Sequence, residues 1–172
     1  GELSQAAGAT ERLVELLEEQ PDVAAPANPV AFPSPAKGEI RFENIAFSYP
    51  ARKDMAVIKS LSFTVKPGET VALVGPSGAG KSTVFSLLLR FYDPQSGKIL
   101  IDGIDVEDAD PLDVRRQIAI VPQDVTIFAA TAADNIAFGL PGADKAALHA
   151  AAKTAHATEL IEKLREGVET PV

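Results

Sequence analysis

The sequence predicts an α/β fold, and three observations carry that expectation. Apolar residues alternate with polar ones at Ile40 and Phe42, at Ile45, Phe47 and Tyr49, and at Leu61, Phe63 and Val65, the two-residue period of strands with one buried face. Val71-Ala72-Leu73-Val74 is short and apolar throughout, the pattern of a parallel-sheet strand buried on both faces. That run leads through a glycine-rich loop into Lys81 to Phe91, a Leu-rich stretch that reads as a helix.

Taken in order, Thr10 to Glu19 places apolar residues at helical spacing, with Thr10 as a cap and Pro21 as a stop. Residues 21–38 hold Pro21, Pro26, Pro29, Pro33 and Pro35, a density that removes backbone donors and favours an extended, solvated linker. The chain thus divides into residues 1–20 (helix), 21–38 (linker) and 39–172 (domain). Between Phe42 and Ile45 the alternation changes parity, which predicts a bulge or bend between two strand segments. Lys66-Pro67-Gly68-Glu69 is a turn, and Asp93-Pro94-Gln95-Ser96-Gly97 breaks the helix after the loop. Lys98 to Ile101 and Ile118 to Val121 are further strand candidates. Thr131 to Phe138 reads as a short helix, and Ala143 to Arg165 as helix in two pieces.

Composition narrows the function. Among 172 residues, 16 Lys plus Arg stand against 24 Asp plus Glu, a net charge of −8 that repels phosphate backbones and argues against a nucleic-acid partner. With no cysteine, a disulfide scaffold and a thiolate metal site are both excluded. No run of 18 apolar residues occurs, so this stretch does not itself cross a membrane as a helix.

The chemistry concentrates in Gly75-Pro76-Ser77-Gly78-Ala79-Gly80-Lys81-Ser82, which fits G-x-x-x-x-G-K-[ST]. Polyphosphate oxygens need several backbone N–H groups at close range, and glycines let the chain curl without Cβ clashes. The loop ends at a predicted helix N-terminus, where free N–H groups and the helix dipole favour an anion. Lys81 adds a charge for the outer phosphates, the Ser82 hydroxyl can ligate Mg²⁺, and Thr83 can place a further hydroxyl nearby. The competing reading is a glycine-rich turn with an incidental lysine. A strand before the loop and a helix after it, as phosphate binding requires, weigh against that.

Several stretches together resemble the nucleotide-binding domain of exporter-type ATP-binding cassette (ABC) transporters. Phe47-Ser48-Tyr49-Pro50 resembles the family's aromatic A-loop, and Gly75 to Thr83 its Walker A loop. Phe91 to Gly97 and Ile99-Leu100-Ile101-Asp102-Gly103 resemble the following helix end, turn and strand. Val121-Pro122-Gln123-Asp124 with Ile127-Phe128 resembles its Q-loop, and Asp134-Asn135-Ile136 the segment after it. The resemblance implies a P-loop NTPase core with a small antiparallel β subdomain and a partial helical subdomain. It implies that Tyr49 stacks on adenine, although a strand tyrosine packed at the core edge is the other reading. Gln123 is implied as a Mg²⁺ ligand at a hinge that senses the membrane domain; an ordinary polar loop residue is its other reading. The cofactors implied are ATP and Mg²⁺. The partners implied are the protein's own transmembrane domain, continued by the helix of residues 1–20, and a second nucleotide-binding domain in a homo- or heterodimer. The place implied is the cytoplasmic face of the inner membrane.

The family also needs a Walker B aspartate with an adjacent glutamate base, a Leu-Ser-Gly-Gly-Gln signature and a downstream histidine. Asp102 ends an apolar strand but is followed by Gly103, not by glutamate, and neither Ser77-Gly78 nor Ser96-Gly97 continues as a signature. His149 and His156 lie seven apart, a spacing that shares a helix face, and read as surface or packing residues. The expectation is therefore a truncated ABC ATPase domain, stopping before those motifs, that binds MgATP and has no catalytic residue of its own. Alone it should be poorly stable, because Val71 to Val74 would lack a neighbouring strand. A soluble P-loop ATPase, kinase or GTPase is the alternative. The guanine motif Asn-Lys-x-Asp and the switch motif Asp-x-x-Gly of GTPases are both missing from the sequence.

Overall fold

The protein is described here from a computed structural model covering residues 10, 14, 17 and 21–172. Thr10, Val14 and Leu17 are helical; the rest of the helix expected over residues 10–19 lies outside the described residues. The described chain through Ile120 forms one compact unit, and Val121–Val172 forms a second.

The first unit is built on strands β1 (Ile40–Phe47), β2 (Ile58–Val65), β3 (Ser96–Ile101) and β4 (Ile104–Asp105). They form an antiparallel sheet in the order β2-β1-β3-β4. Its inward residues Phe42, Ile45, Phe47, Ile58, Ile99 and Ile101 are buried, which is the alternation read from the sequence. The change of parity is a real irregularity. The β1–β2 register shifts between Phe42 and Ile45, and the β1–β3 register shifts between Glu43 and Ala46. Asn44 takes a left-handed φ of 51° there, so Phe42 and Ile45 both reach the same core. The Lys66–Glu69 turn closes with the Glu69 amide donating to the Lys66 carbonyl at 3.0 Å.

Helix α1 (Lys81–Leu88) buries Thr83, Val84, Leu87 and Leu88, one face at the i, i+3, i+4 spacing, into that core. A short 3₁₀ turn (Val106–Asp108) and helix α2 (Pro111–Arg116) add Val106, Ala109 and Val114. Asp110 caps α2 by accepting from the Leu112 amide at 2.7 Å, and Pro111 opens it.

Two expected strands are absent. Val71–Val74 joins no ladder, and Val74 is 88% exposed. A parallel-sheet strand exists only against a neighbour, and no described segment supplies one. Leu73 alone of that run reaches the core, beside an apolar cavity of about 330 Å³ lined by Phe42, Phe63, Val84 and Leu88. Ile118–Val121 likewise joins no ladder, and Val121 is 93% exposed.

Residues 21–39 have no regular structure but are anchored to the first unit. The Val30 amide donates to the Asp108 carbonyl at 2.8 Å, and Phe32 packs against the core. Asp102, in a left-handed turn after β3, accepts from the Lys37 amide at 2.7 Å and the Glu39 amide at 2.8 Å. Burial pushes its carboxyl up, but the amides of Glu39, Lys37 and Gly38 outweigh that and hold it below its usual value. The strand-ending aspartate is therefore engaged by backbone amides. A depressed folded value means that its stabilising contribution is present above its unfolded pKa, near 4, and is lost as pH falls through the folded value. The Lys37 and Glu39 amide resonances should shift as the pH is lowered below about 4. In Asp102→Asn they should not respond to pH; a persisting titration would assign the transition to another group.

In the second unit, helix α3 (Ala132–Ile136) starts at a capping box in which Thr131 and Asp134 bond each other's amides. Helices α4 (Lys145–Thr154) and α5 (Thr158–Glu162) are the two pieces expected between Ala143 and Arg165. His149 lies on α4 and is exposed. His156 departs from the sequence expectation: it sits beyond the helix end at φ 54°, so the two histidines share no helix face.

Candidate functional site

The glycine-rich loop and Tyr49 come together in the first unit around one cavity of about 490 Å³. Gly80 caps α1 with φ 87°, a conformation that side chains rarely adopt. A Cβ on Gly80 would also come within 3.2 Å of Val57 Cγ1, a tight contact, but it is the left-handed φ that calls for glycine there. The Ala79 amide donates to the Pro76 carbonyl at 3.2 Å, which closes the curl. Lys81 is held over the loop. Its Nζ donates to the Gly75 and Pro76 carbonyls, each at 2.8 Å. An ammonium has three N–H donors, so one remains to meet a ligand anion. Ser77 and Ser82, both exposed, face the same cavity as Gly78 and Gly80.

Tyr49 leaves β1 and packs its ring edge-on against Phe47 (5.0 Å) and Tyr92 (5.2 Å). Its hydroxyl pairs with Thr83 Oγ1 at 3.0 Å, and Thr83 is 4% exposed. Tyr49 is thus both a core-edge residue and a wall of the cavity. The Thr83 hydroxyl, expected near the phosphates, has Tyr49 as its partner.

Arg52, Met55 and Val57 also line the cavity and were not picked out from the sequence. The signal was available. The link from β1 to β2 must return past Tyr49, and it does so through a 3₁₀ turn (Pro50–Arg52), after which the Val57 amide bonds the Phe47 carbonyl at 2.9 Å. Among the described residues no carboxylate lines the cavity, whereas Lys81 and Arg52 both do. Two cations, loop amides and hydroxyls, together with an aromatic and apolar wall, suit a polyanion carrying a flat ring. Mg²⁺ fits as a companion of phosphates, with Ser82 as the hard oxygen donor. No cluster of three His, Cys, Asp or Glu able to hold a metal occurs among the described residues.

Gln123 is an exposed residue at a bend of the second unit. In that unit Asn135 locks Phe128 in place: its Oδ1 accepts from the Phe128 amide at 2.8 Å, and its Nδ2 donates to the Phe128 carbonyl at 3.0 Å. Phe128 stacks on Phe138 at 4.6 Å.

A family profile described as "ABC transporter" matches residues 58–171. The chain is 43% identical over 171 residues, 99% of its length and 21% of the relative's, to the ABC multidrug transporter mdr2 of Aspergillus fumigatus. It is 52% identical over 136 residues, 78% of its length and 23% of the relative's, to the ATP-dependent lipid A-core flippase of Pseudoalteromonas atlantica. A solved structure of a bacterial Atm1-family ABC exporter with ATP bound superposes with a TM-score of 0.86 at 40% identity, covering 98% of this chain and 29% of that one. The α/β P-loop fold expected from the sequence is therefore the fold observed in an exporter. The chain spans about a fifth of the length of these curated relatives. No helix among the described residues is long and apolar enough to cross a membrane.

Proposed function

The chain belongs to the ABC transporter family, and from that premise we propose that it is the ATP-binding part of an exporter, which couples ATP binding and hydrolysis to transport. The observation that carries this is the single cavity in which the phosphate loop, Lys81, Ser82 and the Tyr49 ring converge. Amides of the loop from Gly75 to Gly80 and the Lys81 ammonium hold the phosphate tail. Ser77 and Thr83 shape its two sides, and Ser82 would hold Mg²⁺ beside the phosphates. Tyr49 presents its ring to adenine, with Arg52, Met55 and Val57 beside it. The partners are the protein's own transmembrane domain and a second nucleotide-binding domain, and the place is the cytoplasmic face of the inner membrane. A soluble kinase or ATPase is not favoured, since the relatives are exporters and flippases.

A structure of the full-length protein with a non-hydrolysable ATP analogue tests this: the analogue should lie in this cavity, and finding it elsewhere ends the proposal. Base stacking is worth about 1–3 kcal/mol, so Tyr49→Ala should weaken ATP binding by about five- to 150-fold. Tyr49→Phe keeps the ring and loses only the Thr83 bond, so its affinity should stay within about fivefold, the worth of one neutral hydrogen bond. Equal losses in the two variants would move the role of Tyr49 from ring to hydroxyl.

A further inference from the structure

We propose that residues 21–38 form a strap whose seating on the first unit is coupled to occupancy of the nucleotide cavity, with Arg90 as the positioning residue that makes the coupling. The proposal rests on the nucleotide reading of that cavity.

Arg90 comes just after Leu89, the C-cap of α1, in a left-handed conformation (φ 51°), and is 4% exposed. Its Nε donates to Asp93 Oδ1 at 3.0 Å, its Nη1 to the Ala109 carbonyl at 2.6 Å, and its Nη2 to the Ala24 carbonyl at 3.3 Å. A buried guanidinium is often replaceable by apolar packing without loss of stability, so its presence is not accounted for by stability alone. The planar fork can hold three directions at once, which a lysine point charge cannot. Here those directions are the helix end, the approach to α2 and the strap. Arg115 of α2 locks the same junction, donating to the Leu89 carbonyl at 3.1 Å and the Arg90 carbonyl at 3.0 Å. The other end of α1 carries Lys81 and Ser82. One short, rigid helix therefore has the phosphate loop at its start and the strap's anchor at its finish.

A second route from the strap to the cavity runs past a neighbouring hollow. Asp22 and Val23 line this separate hollow of about 540 Å³ together with Phe47 and Tyr92. The Tyr92 ring meets Tyr49 edge-on at 5.2 Å. Tyr49 in turn lines the nucleotide cavity. The strap is thus linked to the site by two routes, through Arg90 at the finish of α1 and through the hollow that it shares with Tyr92. A ligand that biases the helix or the ring then biases the strap, and by linkage the strap biases ligand affinity by the same factor.

The test is hydrogen exchange across residues 22–32 of the full-length protein, with and without a non-hydrolysable MgATP analogue, alongside the analogue's Kd. In the wild-type protein the analogue should slow exchange by about tenfold, a coupling of about 1.4 kcal/mol. Arg90→Gln should remove that response and weaken binding by a similar factor. Val30→Pro deletes the amide that holds the strap to Asp108 and leaves Arg90 and the cavity untouched. It should also loosen the strap and weaken binding. Strap exchange that ignores bound nucleotide in the wild-type protein overturns the coupling, as does a loosened strap with unchanged Kd in either variant. A wild-type protein that binds no nucleotide overturns the nucleotide reading, and the coupling with it.

Discussion

Lys81→Ala should weaken MgATP binding by about 10- to 150-fold, the worth of a charge-assisted hydrogen bond of roughly 1.5–3 kcal/mol. The effect is large because the lysine is already in position. Two carbonyls of the loop hold its ammonium at 2.8 Å, so little ordering remains to be done when a phosphate arrives. The substitution also leaves those two carbonyls without their donor, which slackens the loop. Titration of the full-length variant with a non-hydrolysable analogue gives the number directly. A Kd within threefold of wild type would remove Lys81 from the phosphate site.

Gly97→Ala should destabilise the first unit by roughly 3 kcal/mol or more, adding overpacking to left-handed strain. Gly97 sits in β3 at φ 92°, where β1 bulges toward it. A Cβ there would overlap the Glu43 carbonyl oxygen and lie 2.7 Å from the Asn44 carbonyl, and both obstacles are backbone. Gly103→Ala is the control: its φ is 83° with open space around it, so it carries only the backbone strain of about 1–2 kcal/mol. Protection of the β1 and β3 amides should collapse in the first variant and survive in the second. Equal losses would show that the bulge yields.

How much of this was legible in the sequence follows the range of the forces. The antiparallel strands were readable because each carries its own alternation, and the Phe42-to-Ile45 parity change announced the bulge. The short helix after Thr131 and the two-piece helix after Ala143 depend only on near neighbours, and both are legible in the sequence. Val71–Val74 forms no strand because an apolar run states only an appetite for burial, and the neighbouring strand whose absence the sequence already implies is what a ladder needs. His156 was misread because helical spacing does not mark where a helix stops. In the site, the loop was visible in full, since its chemistry demands particular residues at fixed offsets. Arg52, Met55 and Val57 were not, because the cavity takes them for where the chain turns rather than for what they are. Arg90 was overlooked for a similar reason: its three partners lie 3, 19 and 66 positions away.

The hydroxyl pair between Tyr49 and Thr83 has a consequence for ligands that are only half a nucleotide. It ties the surface offered to a ring to the first turn of the helix offered to a phosphate chain. Free adenosine and inorganic triphosphate would each enter a vestibule already braced from the opposite side. Severing that brace should penalise the intact molecule more than either fragment.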